Sequence, residues 1–193
     1  MKILRGAAIC GAILMTVAQA VSAADVYQFD PRHTYASFEA DHMGGLSTWR
    51  GKFAKSSGSV TLDREARSGT VYAVIDPASV QTGNAPLDAE LLSDAFFDVQ
   101  KYPLIVYRGS QIRFTGEVPS EVVGTLTMHG VTRPLNLHID SFKCIMHPVL
   151  LREVCGANAS AQINRADFGM DFGQAAGFLM QTQIELQVEA QKQ

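Results

Sequence analysis

Apolar and polar residues alternate with a period of two along much of this chain, most cleanly near the C-terminus. There Ile184, Leu186 and Val188 are separated by Gln183, Glu185, Gln187 and Glu189. Leu135, Leu137 and Ile139 alternate with Asn136, His138 and Asp140 in the same way. From Thr34 to His42, Ala36, Phe38 and Ala40 fall on one face and Tyr35, Ser37 and Glu39 on the other. Strands with one apolar and one polar face pair antiparallel; a parallel sheet covered on both sides would read as continuous apolar runs. Further strands are predicted near 49–62, 68–76, 103–115, 121–129 and 155–166. Between them stand the turn signals Arg67-Ser68-Gly69, Thr82-Gly83-Asn84, His129-Gly130-Val131 and Arg133-Pro134.

One stretch follows a different rhythm. From Pro86 to Asp94 it opens on proline, carries early acids and places Leu87 and Leu91 four residues apart. This predicts a short helix ending before Tyr102-Pro103. With no repeat and no linker, the strands and the helix make a single all-β domain. A long antiparallel sheet removes its exposed edges by closing. The predicted architecture is an eight-stranded antiparallel β-barrel with a short helix.

The first residues have a different purpose. Met1 to Arg5 is short and basic, Gly6 to Val17 is almost wholly apolar, and Ala18-Gln19-Ala20 and Val21-Ser22-Ala23 place small residues at a cleavage site. This is the pattern of a secretory signal peptide over residues 1–23, cleaved near Ala23, with the domain occupying 24–193. Removing it leaves 170 residues with 14 Lys and Arg against 19 Asp and Glu. No later stretch approaches the roughly 20 apolar residues of a membrane span. A mildly acidic exported chain offers nothing to nucleic acid, and no stable membrane insertion is expected.

Export changes the meaning of the cysteines. Cys10 lies in the signal segment, and its Ala7-Ala8-Ile9 context is a poor lipoprotein site. Cys144 and Cys155 remain, an even pair in an oxidising compartment, which reads as one disulfide pinning a hairpin loop. Closing so short a loop stabilises a fold by roughly 3 kcal/mol on the chain-entropy model. A redox or metal pair is the alternative, but neither a CxxC spacing nor a nearby His pair accompanies it.

A barrel of eight strands holds either packed side chains or one small ligand. Met43, Trp49, Phe53, Met170, Phe172, Phe178 and Met180 cluster near predicted strand ends and loops. Met and aromatic residues make adaptable linings for apolar ligands, and they equally fill cores. Composition leaves both readings open.

The residues themselves narrow the choice. Asp30-Pro31-Arg32-His33-Thr34, Phe38, His42-Met43-Gly44 and Gly51-Lys52-Phe53 resemble the opening of the YceI-like family. Thr82-Gly83, Asp88, Leu91, Ser93, Phe96-Phe97-Asp98 and Tyr102-Pro103 continue the match. The run from Gly124 to Pro134 is its strongest part, and Asn164-Arg165-Ala166-Asp167-Phe168-Gly169 completes the order. The resemblance spans about Tyr27 to Val188. It implies a lipocalin-like barrel in a bacterial periplasm. Its interior would hold a long amphiphile such as a polyisoprenoid, an isoprenoid quinone or a fatty-acid derivative. It further implies no catalytic residues, no cofactor apart from the bound lipid, a link to stress responses and possible homodimers.

Strand parity then nominates a tunnel lining. Phe38 and His42 share the inward face of their strand; Trp49, Gly51 and Phe53 share another, with the glycine opening space beside two rings. His42 would hydrogen-bond a ligand head group or be satisfied by a backbone carbonyl. Phe97, with Phe96, would dock the helix over one barrel end. The expected ligand-binding set is Phe38, His42, Met43, Trp49, Phe53 and Phe97, with Met170, Phe172, Phe178 and Met180 from the C-terminal loop. His33 is expected in the Asp30-Pro31 turn. Arg133 and Arg165 are expected to pair with Asp167 or another carboxylate.

Two other classes compete with the carrier. A hydrolase would need a nucleophile elbow, which is missing, and a metal-dependent enzyme would need close His pairs. His33, His42, His129, His138 and His147 have no such spacing. The other rival is a filled barrel working only through its outer surface.

Overall fold

The computed structural model describes residues 24–193; residues 1–23, expected to be a signal peptide, lie outside the described residues. Twelve strands form one closed sheet. They are β1 (Asp25–Phe29), β2 (Tyr35–His42), β3 (Ser47–Phe53), β4 (Ser56–Asp63), β5 (Ser68–Ile75) and β6 (Val80–Gln81). After helix α1 (Ala85–Leu92) come β7 (Ile105–Thr115), β8 (Val118–Met128), β9 (Val131–Pro134), β10 (Leu137–Met146), β11 (Glu153–Asn164) and β12 (Gln181–Lys192).

Four pairs of consecutive strands are single long strands with a break: β1 with β2, β3 with β4, β5 with β6, and β9 with β10. Counted so, the barrel has eight antiparallel strands in sequence order. It closes because β12 pairs with β1 through Lys192–Ala190 and with β2 through Gln187–Thr182. The predicted strand at 49–62 is therefore two pieces, and β1, β6 and β9 escape the alternation pattern. β6 is two residues long, β9 ends in the Arg133-Pro134 expected as a turn, and Val26 adjoins Tyr27 so that two apolar residues run together. Arg165 and Ala166, expected to end the strand near 155–166, instead open a 3-10 turn over Arg165–Phe168.

Three of the breaks lie side by side, where neighbouring strands bend at one level. Pro31 lacks an amide donor and follows Asp30, whose carboxylate accepts from the Arg32 amide at 2.9 Å and lies 3.0 Å from His33 Nδ1. Those contacts hold the Asp30 carboxyl down at about 2, led by the Arg32 amide and then by His33. On the next strand, the Ala54 amide turns aside to the Ser79 carbonyl. On the third, Asp76 caps the turn at Pro77–Ser79. Buried Thr34 and Ser56 sit at the same belt.

Helix α1 begins one residue before the predicted Pro86 and is fixed at its first turns. Asn84 Oδ1 accepts from the Leu87 amide, and the Asp88 carboxylate accepts from the Thr82 amide and hydroxyl at 2.7 and 2.6 Å. Its Leu91 is buried, and Leu87 packs against the core from the same side. The helix, the 43–46 turn and the 165–180 segment gather at one end of the barrel. The other end carries the hairpins at 64–67, 116–117 and 147–152.

That second end is closed by a polar network. Tyr27, 1% exposed, donates its hydroxyl to Glu153 at 2.5 Å, and Arg64 grips both Glu153 oxygens at 2.9 and 3.1 Å. Burial, and then the Glu153 carboxylate, push the Tyr27 phenol well above its usual value. Beside it, Cys144 and Cys155 face each other across β10 and β11 and are joined by the expected disulfide.

Candidate functional site

The barrel is not filled. A cavity of about 480 Å³ runs through its interior, a volume in the usual range for small-molecule sites. Its deep wall is hydrocarbon: Leu62, Ile112, Val122 and Phe142 toward the closed end, then Ile184, Leu186 and Val188 along β12. The alternation read from β12 thus supplies one whole side of it.

Most of the predicted lining residues face this space. Phe38 and Phe53 are buried mid-wall, their rings 5.9 Å apart, and Phe97 meets Phe53 edge-on at 5.5 Å. Trp49, His42 and Phe178 form an aromatic collar, the His42 ring standing edge-on to Trp49 at 5.8 Å and to Phe178 at 5.7 Å. Met170 is buried in the wall, and Phe172, half exposed, makes the rim where the cavity reaches the surface. The polar partner of His42 is the Ser47 hydroxyl, 3.3 Å from Nδ1, and not a backbone carbonyl.

Two predicted residues lie elsewhere. Met43, nominated as an apolar residue near a strand end, is 58% exposed on a turn with positive φ just past the end of β2 at His42. Met180 is buried but packs outside the cavity, because its carbonyl is held by the Arg165 amide. Gly51 also differs from expectation. It opens no free space, since a Cβ there would stand 2.5 Å from the Phe38 ring, which fills the gap.

The arginines take carbonyls rather than carboxylates. Arg133 Nε donates to the Asp167 backbone carbonyl at 3.2 Å, and His129 Nδ1 lies 2.9 Å from the Phe168 carbonyl. The Gly124–Pro134 motif is therefore a β8–β9 hairpin braced against the 165–168 turn. That turn delivers Arg165, 8% exposed, to the cavity wall. Its two terminal nitrogens donate to the carbonyls of Met170 at 2.6 Å and Phe172 at 2.7 Å, and its guanidinium lies over the Phe96 ring at 5.7 Å. Burial lowers its pKa, opposed by the more distant Asp171 and Asp41.

Sequence reasoning missed three further polar groups. Asp41 falls on the outward parity of β2, yet its carboxylate reaches over the rim. It accepts from the amides of Gly44, Gly45 and Leu179 at 2.8, 2.5 and 2.8 Å, tying the two loops of the mouth together. These amides, with Leu179 first, hold its pKa below the usual carboxylate value. Thr182 and Ser56, 7% and 8% exposed, line the cavity with hydroxyls that have no hydrogen-bond partner. Thr182 was legible, because it shares the parity of Ile184, Leu186 and Val188. Tyr107 is different: its hydroxyl is already 3.1 Å from the carbonyls of Val122 and Leu135.

Among the described residues, the one grouping of three metal-ligand types is Cys144, Glu153 and Cys155, and its two sulfurs are bonded to each other. No described helix is long and apolar enough to cross a membrane.

A closed meander barrel with an apolar bore is a common design, so sequence comparison decides the family. The YceI-like domain matches residues 27–191. The chain belongs to the YceI-like family. A UPF0312 protein of Pseudomonas putida strain GB-1 is 30% identical over 185 residues, covering 95% of this chain and 94% of that protein. Among solved structures, Burkholderia cenocepacia BcnA superposes with a TM-score of 0.67 at 20% identity, covering 83% of this YceI-like chain and 98% of BcnA. A polyisoprenoid-binding domain from Saccharophagus degradans, implicated in plant cell wall breakdown, superposes with a TM-score of 0.60 at 15% identity. It is covered over 98% of its length and covers 86% of this chain. At those identities the two structures establish a shared fold.

Proposed function

We propose that this YceI-like protein is a periplasmic binding protein that carries one long apolar amphiphile, with its tail along the barrel bore. The observation that carries the reading is the hydrocarbon wall running from the Trp49–His42–Phe178 collar to Phe142 near the closed end. Water in such a bore finds few partners, while each CH₂ moved into it from solvent is worth about 0.8 kcal/mol. The polyisoprenoid-binding domain of S. degradans shares the fold and is consistent with a prenyl or comparable chain. The chemistry is that of binding. What supports this is that Arg165 is held by backbone carbonyls, and that the one Ser–His contact at the cavity, Ser47 to His42 at 3.3 Å, is exposed at the mouth.

The test is native mass spectrometry of the protein taken from a periplasmic extract, followed by organic extraction. A stoichiometric long-chain species is the expected result. A folded protein that arrives empty and rejects both quinones and prenyl lipids on titration would overturn the proposal.

A further inference from the structure

Arg165 is the single arginine or lysine among the residues lining the cavity, and it is nine-tenths buried. No ion pair among the described residues includes it. Its two backbone acceptors are neutral carbonyls, and the Phe96 ring offers only quadrupole attraction. A guanidinium stays charged and has five N–H donors, of which two are accounted for here. A buried charge without a countercharge is costly, and proteins normally pair it.

The nearby carboxylates do not fill that role. Asp41 is occupied by three backbone amides, and Asp171 is exposed and makes no ion pair with Arg165. A second unsatisfied group lies on the neighbouring strand at the same end of the wall. Thr182 lies opposite Ile163 in the β11–β12 register, and the ladder runs on directly to the Arg165 amide bonding the Met180 carbonyl. Its hydroxyl is buried, unpartnered and on the cavity wall. A cation and a free hydroxyl thus line the same end of the cavity, where Asp41, His42 and Glu90 also stand, above a hydrocarbon bore.

We infer that the carried amphiphile has an acidic head group, a carboxylate or a phosphate, seated on Arg165 and Thr182 at the mouth with its tail toward the closed end. This rests on the carrier reading and narrows it, because neutral quinones and free prenols would leave the guanidinium unpaired. Charge-assisted hydrogen bonds contribute more than neutral ones, so the acid is favoured over a neutral analogue of equal chain length by about tenfold or more.

The experiment titrates the delipidated protein with two matched sets: hexadecanoic acid against hexadecanol and methyl hexadecanoate, and farnesyl phosphate against farnesol. The expected result is that one or both acidic members bind at least about tenfold more tightly than their neutral counterparts. Whichever set shows the preference distinguishes carboxylate from phosphate. In R165Q the acid loses most of that advantage while the alcohol changes far less, and T182V removes a smaller part, about threefold. Because R165Q also releases two loop carbonyls, the wild-type comparison and T182V stand as tests if it does not fold. Equal affinity for acid and alcohol in the wild type, or a preference that survives folded R165Q, overturns the head-group inference alone. Rejection of every compound in both sets overturns the carrier reading with it.

Discussion

The two ends of this barrel handle their polar groups in opposite ways. At the closed end, Tyr27, Glu153 and Arg64 satisfy one another, and a disulfide ties the adjoining strands. At the mouth, Asp41 is saturated by loop amides, but Arg165 has no direct ion pair and the Thr182 hydroxyl lacks any partner. The same contrast appears in the aromatic residues. Tyr27 is sealed in the fold, whereas Trp49 and Phe178 are half-buried and Phe172 is half exposed around an opening. One end spends its side chains on stability, and the other keeps interaction capacity for something outside the chain. A satisfied network rigidifies, while an unsatisfied one destabilises unless a ligand completes it.

If the two ends are separate in this sense, substitutions at the closed end move stability and those at the mouth move binding. The largest effect is expected from Tyr27→Ala, which empties a fully buried aromatic site and breaks the Glu153 contact. A loss of about 3–5 kcal/mol in urea unfolding is expected, with little change in amphiphile affinity for the folded fraction. Replacing Cys144 and Cys155 together by Ser is expected to cost roughly 3 kcal/mol and to leave lipid binding intact. Lost binding in either folded variant would show that the ends are coupled.

Trp49→Ala probes the opposite case. Removing part of the collar should weaken amphiphile binding by about tenfold, for apolar area worth some 1–2 kcal/mol, while unfolding shifts by about 1 kcal/mol or less. A large loss of stability with unchanged affinity would make Trp49 a core residue.

The smallest effect concerns acid. The Asp30 carboxyl is lowered from 3.8 to about 2 in the fold, so its stabilising contribution is complete above 3.8 and fades as pH falls through 2. The stability gap between wild type and D30N should narrow across that window, read from urea midpoints. A gap that stays constant on acidification would show that Asp30 acts through shape rather than charge.

Much of the barrel was legible because antiparallel strands with one dry face carry their geometry in the sequence. Ile184, Leu186 and Val188 were read on one face of their strand and line the cavity, and Pro86 marked the start of the helix within a residue. The strand breaks were harder to read. The bend at Ala54-Lys55 has no proline or glycine, and it follows from hydrogen bonds to Ser79, a residue on another strand. The strand end was also hard to read. Met43 follows β2 into an exposed turn, and Asp41, on the outward face of β2, still reaches the rim.

Sequence alone therefore determined the class of fold, the closing of the sheet, the disulfide pair and the family, since each depends on local periodicity or ordered motifs. Tertiary structure alone decided that the bore is open, which residues ring its mouth, and that Arg165 meets carbonyls instead of Asp167. Those outcomes depend on where strands and loops come to lie against one another, and on whether a buried charge finds a partner there. No spacing along the chain encodes that, because the partner that is missing belongs to no neighbouring position.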